Sequence, residues 1–180
     1  MCKDNNTEIE LMSIHDEIFS KYGWILEKPC PSPTIETGHV RQWFSIAPMD
    51  GFLAEQSISY FETKKVPIEC RSLECVFFDD EAYINIGESR SVLFVALPDR
   101  DGGKAPDENS IKAFLIPPGV SVIVKHGVWH WSPYPVDCDN RYLLMLAGRV
   151  YKYRGEQLWV NEDYVVFKDL QNTYTIKDGI

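Results

Sequence analysis

Residues 116–130 read Ile-Pro-Pro-Gly-Val-Ser-Val-Ile-Val-Lys-His-Gly-Val-Trp-His, and no other stretch decides as much about the chain. Pro117-Pro118-Gly119 is a turn, in which proline fixes one dihedral and glycine supplies the permissive one. The β-branched run Val120, Val122, Ile123, Val124 suits a strand. Lys125, His126, Trp129 and His130 then arrive within six positions. The chain has 4 histidines and spends two of them here, which marks this turn as the place to expect chemistry or a ligand.

Runs of the same character recur on either side: Val40–Ala47, Ile58–Phe61, Glu74–Phe78, Ala82–Ile86, Val92–Leu97, Ile111–Ile116 and Tyr142–Leu146. Between them stand turn signals such as Asp79-Asp80, Gly87, Pro117–Gly119 and Ser132–Pro135, while Asp99–Asn109 reads as a charged surface loop. About eight strands at this spacing predict an antiparallel sandwich or barrel. With one entry helix, the expected architecture is an all-β, cupin-like jelly roll, a barrel that holds small ligands at its mouth. The helix is predicted from Ser13 as N-cap, through Leu11, Ile14, Ile18 and Phe19 at helical spacing, to Gly23 as its stop. Three prolines in Pro29–Pro33 preclude regular structure. Residues 1–12 are expected to be flexible. Residues 151–180 form a C-terminal extension with strand-like pieces (Leu158–Val160, Tyr164–Phe167, Tyr174–Ile176), either an extra hairpin or a dimer arm. The whole of 1–180 reads as a single domain.

Composition narrows the function classes. Aromatics at 13% favour a β-rich core. A net charge of −9 argues against nucleic acid, whose phosphates call for a basic surface, and against an anionic membrane. No apolar stretch approaches the roughly 20 residues that span a bilayer, and the opening residues lack the succession of a signal peptide. The 5 cysteines are scattered without C-x-x-C or zinc-ribbon spacing, so buried or free thiols in a reducing cytoplasm are expected.

The residues of the turn admit two chemistries. Barrels of this kind often bind a divalent metal through His-x-His on one strand, and this chain has no His-x-His, so a metal is the lesser reading. The other is cofactor-free acid–base work. Lys125, His126 and His130, facing Glu74 or Glu81 across the barrel, supply groups that titrate near neutral pH or are tuned to it by burial. The plain structural alternative leaves Lys125 solvated and His130 packed on Trp131. Trp129 fits core packing or the wall of a pocket. Arg71 lies on an otherwise apolar strand and is expected either to bind a carboxylate or to pair with Glu69, Glu74 or Glu88.

Several segments share order and spacing with one known family: Phe19-Ser-Lys-Tyr-Gly-Trp-Ile-Leu-Glu27, Val66-Pro67, Leu73-Glu74, Glu81-Ala-Tyr-Ile84, Val92–Leu97 and, most specific, Gly127-Val-Trp-His130. From about residue 14 to residue 135 the chain resembles the ureidoglycolate lyase family, a cupin-fold group of purine and allantoin breakdown. It departs where the family has Leu-Glu-Arg-His, here Leu73-Glu74-Cys75-Val76. It departs again where the family has Tyr-His-x before Gly-Val-Trp-His, here Val124-Lys125-His126. Glu74, Trp129 and His130 match the family, and Glu81 and Tyr83 are near matches.

The resemblance implies a lyase splitting a carbinolamide into glyoxylate and urea. That step needs a base for the hydroxyl, an acid for the departing nitrogen and a cation for the carboxylate. It casts His130 as acid or base, Glu74 as its partner, Lys125 and His126 as stand-ins for the lost imidazole, and Arg71 or Lys125 as carboxylate clamp. Trp129, Tyr83, Glu81 and Tyr60 complete the substrate-binding candidates. The competing class is a non-catalytic cupin that binds a small carboxylate. A purely structural dimer module leaves the polar cluster unexplained. A cytoplasmic homodimer paired through edge strands is expected.

Overall fold

The computed structural model describes residues 6–27, 32–39, 41–50, 56–100, 104–147, 151–154, 157–160 and 162–177. The chain enters through β1 (Asn6–Ile9) and β2 (Leu11–Ser13), then a 3-10 helix over Glu17–Lys21. β3 (Gly23–Leu26) follows, then the small hairpin of β4 (Ile35–Glu36) and β5 (Arg41–Gln42), and β6 (Gln56–Thr63). The body is β7 (Glu69–Val76), β8 (Glu81–Asn85), β9 (Ser91–Ala96), β10 (Lys112–Ile116), β11 (Ser121–Val124), β12 (Trp129–His130), β13 (Tyr134–Pro135) and β14 (Asn140–Ala147). A second hairpin, β15 (Tyr151–Arg154) and β16 (Gln157–Val160), precedes the long β17 (Val165–Ile176).

One sheet runs β3-β11-β8-β14-β6, antiparallel throughout. The other runs β1-β17-β7-β12-β9-β10-β2, with β13 also on β9. Between β7 and β14 the chain passes repeatedly from the long sheet to the short one and back. That is the winding of a jelly roll, and the all-β, cupin-like barrel expected from the strand spacing is present. The edges of the long sheet are β1, parallel to β17, and β2, parallel to β10. Only Glu10 separates β1 from β2 in sequence, so the long sheet curls until its two edges nearly meet.

This curl gives the long sheet a buried core on each face. On β9, Leu93 and Val95 join Phe114, Ile116, Val122, Val124, Tyr83 and Tyr142 between the two sheets. The alternate residues Val92, Phe94 and Ala96 join Leu73, Cys75, Ala113 and Trp129 inside the curl. A strand covered on both faces has no polar side to alternate with, which is why β9 reads as the continuous apolar run Val92–Ala96. No helix among the described residues is long and apolar enough to cross a membrane.

The entry differs from expectation. Residues 6–13 are not loose but form the two edge strands, and the predicted helix from Ser13 shrinks to the 3-10 helix, capped by Asp16 instead. Sheet pairing outcompetes the helical spacing here: Leu11–Ser13 lie in register with Ala113–Leu115, and the Ile14 N–H donates to the Leu115 carbonyl at 3.1 Å. Helical periodicity in a short segment is a weaker term than a full ladder beside an apolar strand. The expected strand Val40–Ala47 survives only as β5, and Val40 lies outside the described residues.

Candidate functional site

The turn that follows β11 is held from both sides. Gly127 has φ +76°, a conformation that favours glycine, and its N–H donates to the Val76 carbonyl at 2.7 Å. β12 then inserts between β7 and β9, with Trp129 opposite Cys75 and Ala96, and His130 opposite Glu74 and Val95. Successive strand residues face opposite ways. Trp129 is therefore buried inside the curl, whereas His130, 1% exposed, enters the space between the sheets.

His130 is bonded at both ring nitrogens. Nδ1 lies 2.9 Å from the Val128 carbonyl, which can only accept, so Nδ1 carries a hydrogen. Nε2 lies 2.7 Å from Oε2 of Glu81, itself buried at the start of β8. The Tyr83 ring meets the imidazole edge to face at 5.8 Å. Burial opposes protonation, but the hydrogen bond and charge of Glu81, the charge of Glu74 and the Val128 carbonyl outweigh it, and the pKa rises to about 9. His130 thus stands as an imidazolium clasped by carboxylate at neutral pH.

Among the residues singled out in the sequence, His130, Glu74, Glu81 and Tyr83 converge. Glu81 is the direct partner of His130, with Glu74 beside it in register. The others lie elsewhere. Arg71 is 67% exposed and pairs with Glu69 at 2.7 Å, the structural alternative foreseen for it. Cys70 and Leu73 reach the same cluster, which strict alternation forbids, and the register with β17 shifts at this point, so Arg71 is turned out to solvent. Lys125 donates to the Ser20 carbonyl and stacks on Trp24, its ammonium 4.4 Å from the ring centroid. It ties the entry segment to the turn instead of facing the imidazole. Tyr60 projects from the edge strand β6 into solvent and bonds Glu62. His126 remains at the turn, half-exposed, its ring held by Asp80.

Asp80, which in sequence looks like turn punctuation, is a buried partner of His126 that sequence reasoning misses. It is fully buried, and its carboxylate accepts from the Asp50 N–H, the His126 N–H and the His126 ring, each at 2.8 Å. The available signal is Asp79-Asp80-Glu81, three acids running into an apolar strand, all of them buried. Cys70 and Cys75 are pushed up to about 12 chiefly by burial, so neither offers a thiolate near neutral pH.

His130 offers no lone pair to a metal. Transition metals need a neutral imidazole lone pair, and both nitrogens of His130 are engaged. Among the described residues no group of three or more His, Cys, Asp or Glu side chains is placed to hold an ion.

The chain is similar to proteins already known. One relative is a protein of Agrobacterium fabrum (strain C58 / ATCC 33970) named "Putative ureidoglycolate lyase", 32% identical over 69 residues, which are 38% of this chain and 41% of that protein. Among solved structures, RmlC from Streptococcus suis in complex with dTDP-D-xylose is similar with a TM-score of 0.38 and 16% identity, over 57% of this chain and 46% of the other. The chain thus spans less than half the length of each. The family model described as ureidoglycolate lyase matches residues 6–167, from the first strand to the start of the last. The chain belongs to the ureidoglycolate lyase family.

Proposed function

We propose that this protein is a lyase that cleaves a small carbinolamide, ureidoglycolate or a close relative, into glyoxylate and urea by acid–base catalysis. The reaction removes a proton from the carbinol hydroxyl, forms the C=O bond, breaks the C–N bond and returns a proton to the departing nitrogen. The observation that carries the reading is His130 clasped by Glu81 beside Glu74, within the stretch matched to the family. The Glu81 and Glu74 carboxylates raise the His130 pKa to about 9 against the cost of burial, which places a fixed charge pair at the family-matched motif. Glu74 keeps the proton on the ring, as a second carboxylate on the same face. Neither Arg71 nor Lys125 turns towards this cluster, so neither is assigned the substrate carboxylate.

A glyoxylate-release assay tests the reading. Purified protein is expected to turn over ureidoglycolate, and His130→Ala is expected to lower kcat by about 100-fold or more. Because His130 is buried, Glu81→Gln serves as the gentler companion variant and is expected to lose activity in the same direction. Full turnover by His130→Ala overturns the assignment. A ligand that raises the melting temperature without being consumed marks a binding protein instead.

A further inference from the structure

The two halves of the turn region build not one imidazole–carboxylate pair but two. Adjacent acids, Asp80 and Glu81, each hold a histidine from the same short stretch: Glu81 holds His130, and Asp80 holds His126. The pairs differ in access. His130 is enclosed, with both nitrogens committed. The His126 side chain is 48% exposed, with Nδ1 fixed 2.8 Å from Asp80 Oδ1 and Nε2 without a partner among the described residues.

Several hydrogen bonds around the outer pair hold that ring. The same Asp80 oxygen accepts the His126 backbone N–H, so ring and main chain are anchored at one point. Asp80 is fixed in turn by the Asp50 N–H at its other oxygen and by its own N–H to the Asp50 carbonyl at 3.2 Å. Gly127 and Val128 lock the turn through Val76 and Lys125. A buried carboxylate that fixes one ring nitrogen as N–H leaves the other with a basic lone pair and a set direction.

We propose that His126 is the imidazole that takes the hydroxyl proton at this end of the barrel, and that Asp80 is its positioning residue. The inference rests on the acid–base reading above and names its base. Nε2 of His126 accepts the hydroxyl proton, the oxygen electron pair forms the C=O bond, the C–N bond breaks, and the protonated His126 ring returns the proton to the departing nitrogen. The exposed pair is the one open to a substrate, whereas His130 has both nitrogens committed inside the protein.

The test uses the full chain with ureidoglycolate. His126→Ala is expected to lower kcat about 100-fold, with KM changed by less than about threefold, as for loss of a general base. Because the site is half open to solvent, added imidazole is expected to restore at least about a tenth of the lost rate. Asp80→Asn is expected to lower kcat at least about tenfold, by loosening the tautomer and not the fold. Activity of His126→Ala within about twofold of the parent, or a loss that imidazole does not relieve, overturns the proposal. If the parent chain itself does not cleave ureidoglycolate, the proposed function fails separately, and nitrogen NMR of the ring decides the pair. A dominant Nδ1–H tautomer that Asp80→Asn abolishes supports it; equal tautomer mixtures in both proteins overturn it.

Discussion

Protonating His130 in the folded chain costs its burial but gains the Glu81 carboxylate at 2.7 Å, and the balance lifts its pKa from 6.5 to about 9. A raised folded-state pKa stabilises most while the ring is protonated in both states. The contribution is therefore complete below about pH 6.5 and is lost as the pH climbs through about 9, a change of a few kcal/mol. Thermal melts are expected to show stability falling across that window and levelling above it. The drop should be much smaller in Glu81→Gln; an equal drop in both proteins would refute the assignment. At this scale the site is half legible in sequence. Gly127-Val-Trp-His130 marks His130, and alternation alone predicts that Trp129 faces the other way. The choice between Glu74 and Glu81 depends on which strand end lies against the imidazole, which no local pattern encodes. Arg71 is misplaced by alternation because the strand is irregular just there.

Among the elements, β3 shows how one sequence signal can serve two structures. Gly23 reads as a helix stop, yet it opens β3 and pairs with Val124. A Cβ at this position would lie 2.0 Å from the Ile123 carbonyl oxygen and 3.1 Å from the Phe19 ring. Glycine is needed because two backbones approach closely, and a carbonyl within a ladder cannot step aside. Gly23→Ala is expected to cost about 2 kcal/mol or more, lowering the urea midpoint without changing the slope. A loss under about 0.5 kcal/mol would show that the strand shifts freely. The central strands are legible for the opposite reason: runs such as Val92–Leu97 and Val120–Val124 carry β-branched and aromatic residues between clear turns, and their packing agrees with their propensity. The entry segment is not, because Leu11, Ile14 and Ile18 fit a helical stripe while the partner that makes Leu11–Ser13 a strand lies about a hundred residues away, in β10.

At the scale of the whole molecule, the long sheet is shared property. Leu93 and Leu73 belong to different buried clusters, but both hang on the same hydrogen-bonded sheet. Loosening either face frees the strands that form the other, so unfolding is expected as one transition. Leu93→Ala and Leu73→Ala should each cost about 2–5 kcal/mol and shift a single midpoint. Two resolved transitions in calorimetry, each sensitive to only one variant, would separate the cores. The closure of the long sheet carries a consequence in time. Its edges are finished by residues 6–13, yet Asn6 pairs with Thr173, close to the far end of the described chain. A chain emerging from the ribosome therefore makes its first strand long before the neighbour that strand needs. Until β17 arrives the sheet stands open along an unpaired edge, and the long loop to be closed slows the last step. In that interval the nascent chain is most exposed to pairing with a copy of itself, and the one-residue link at Glu10 ends the hazard at both edges together.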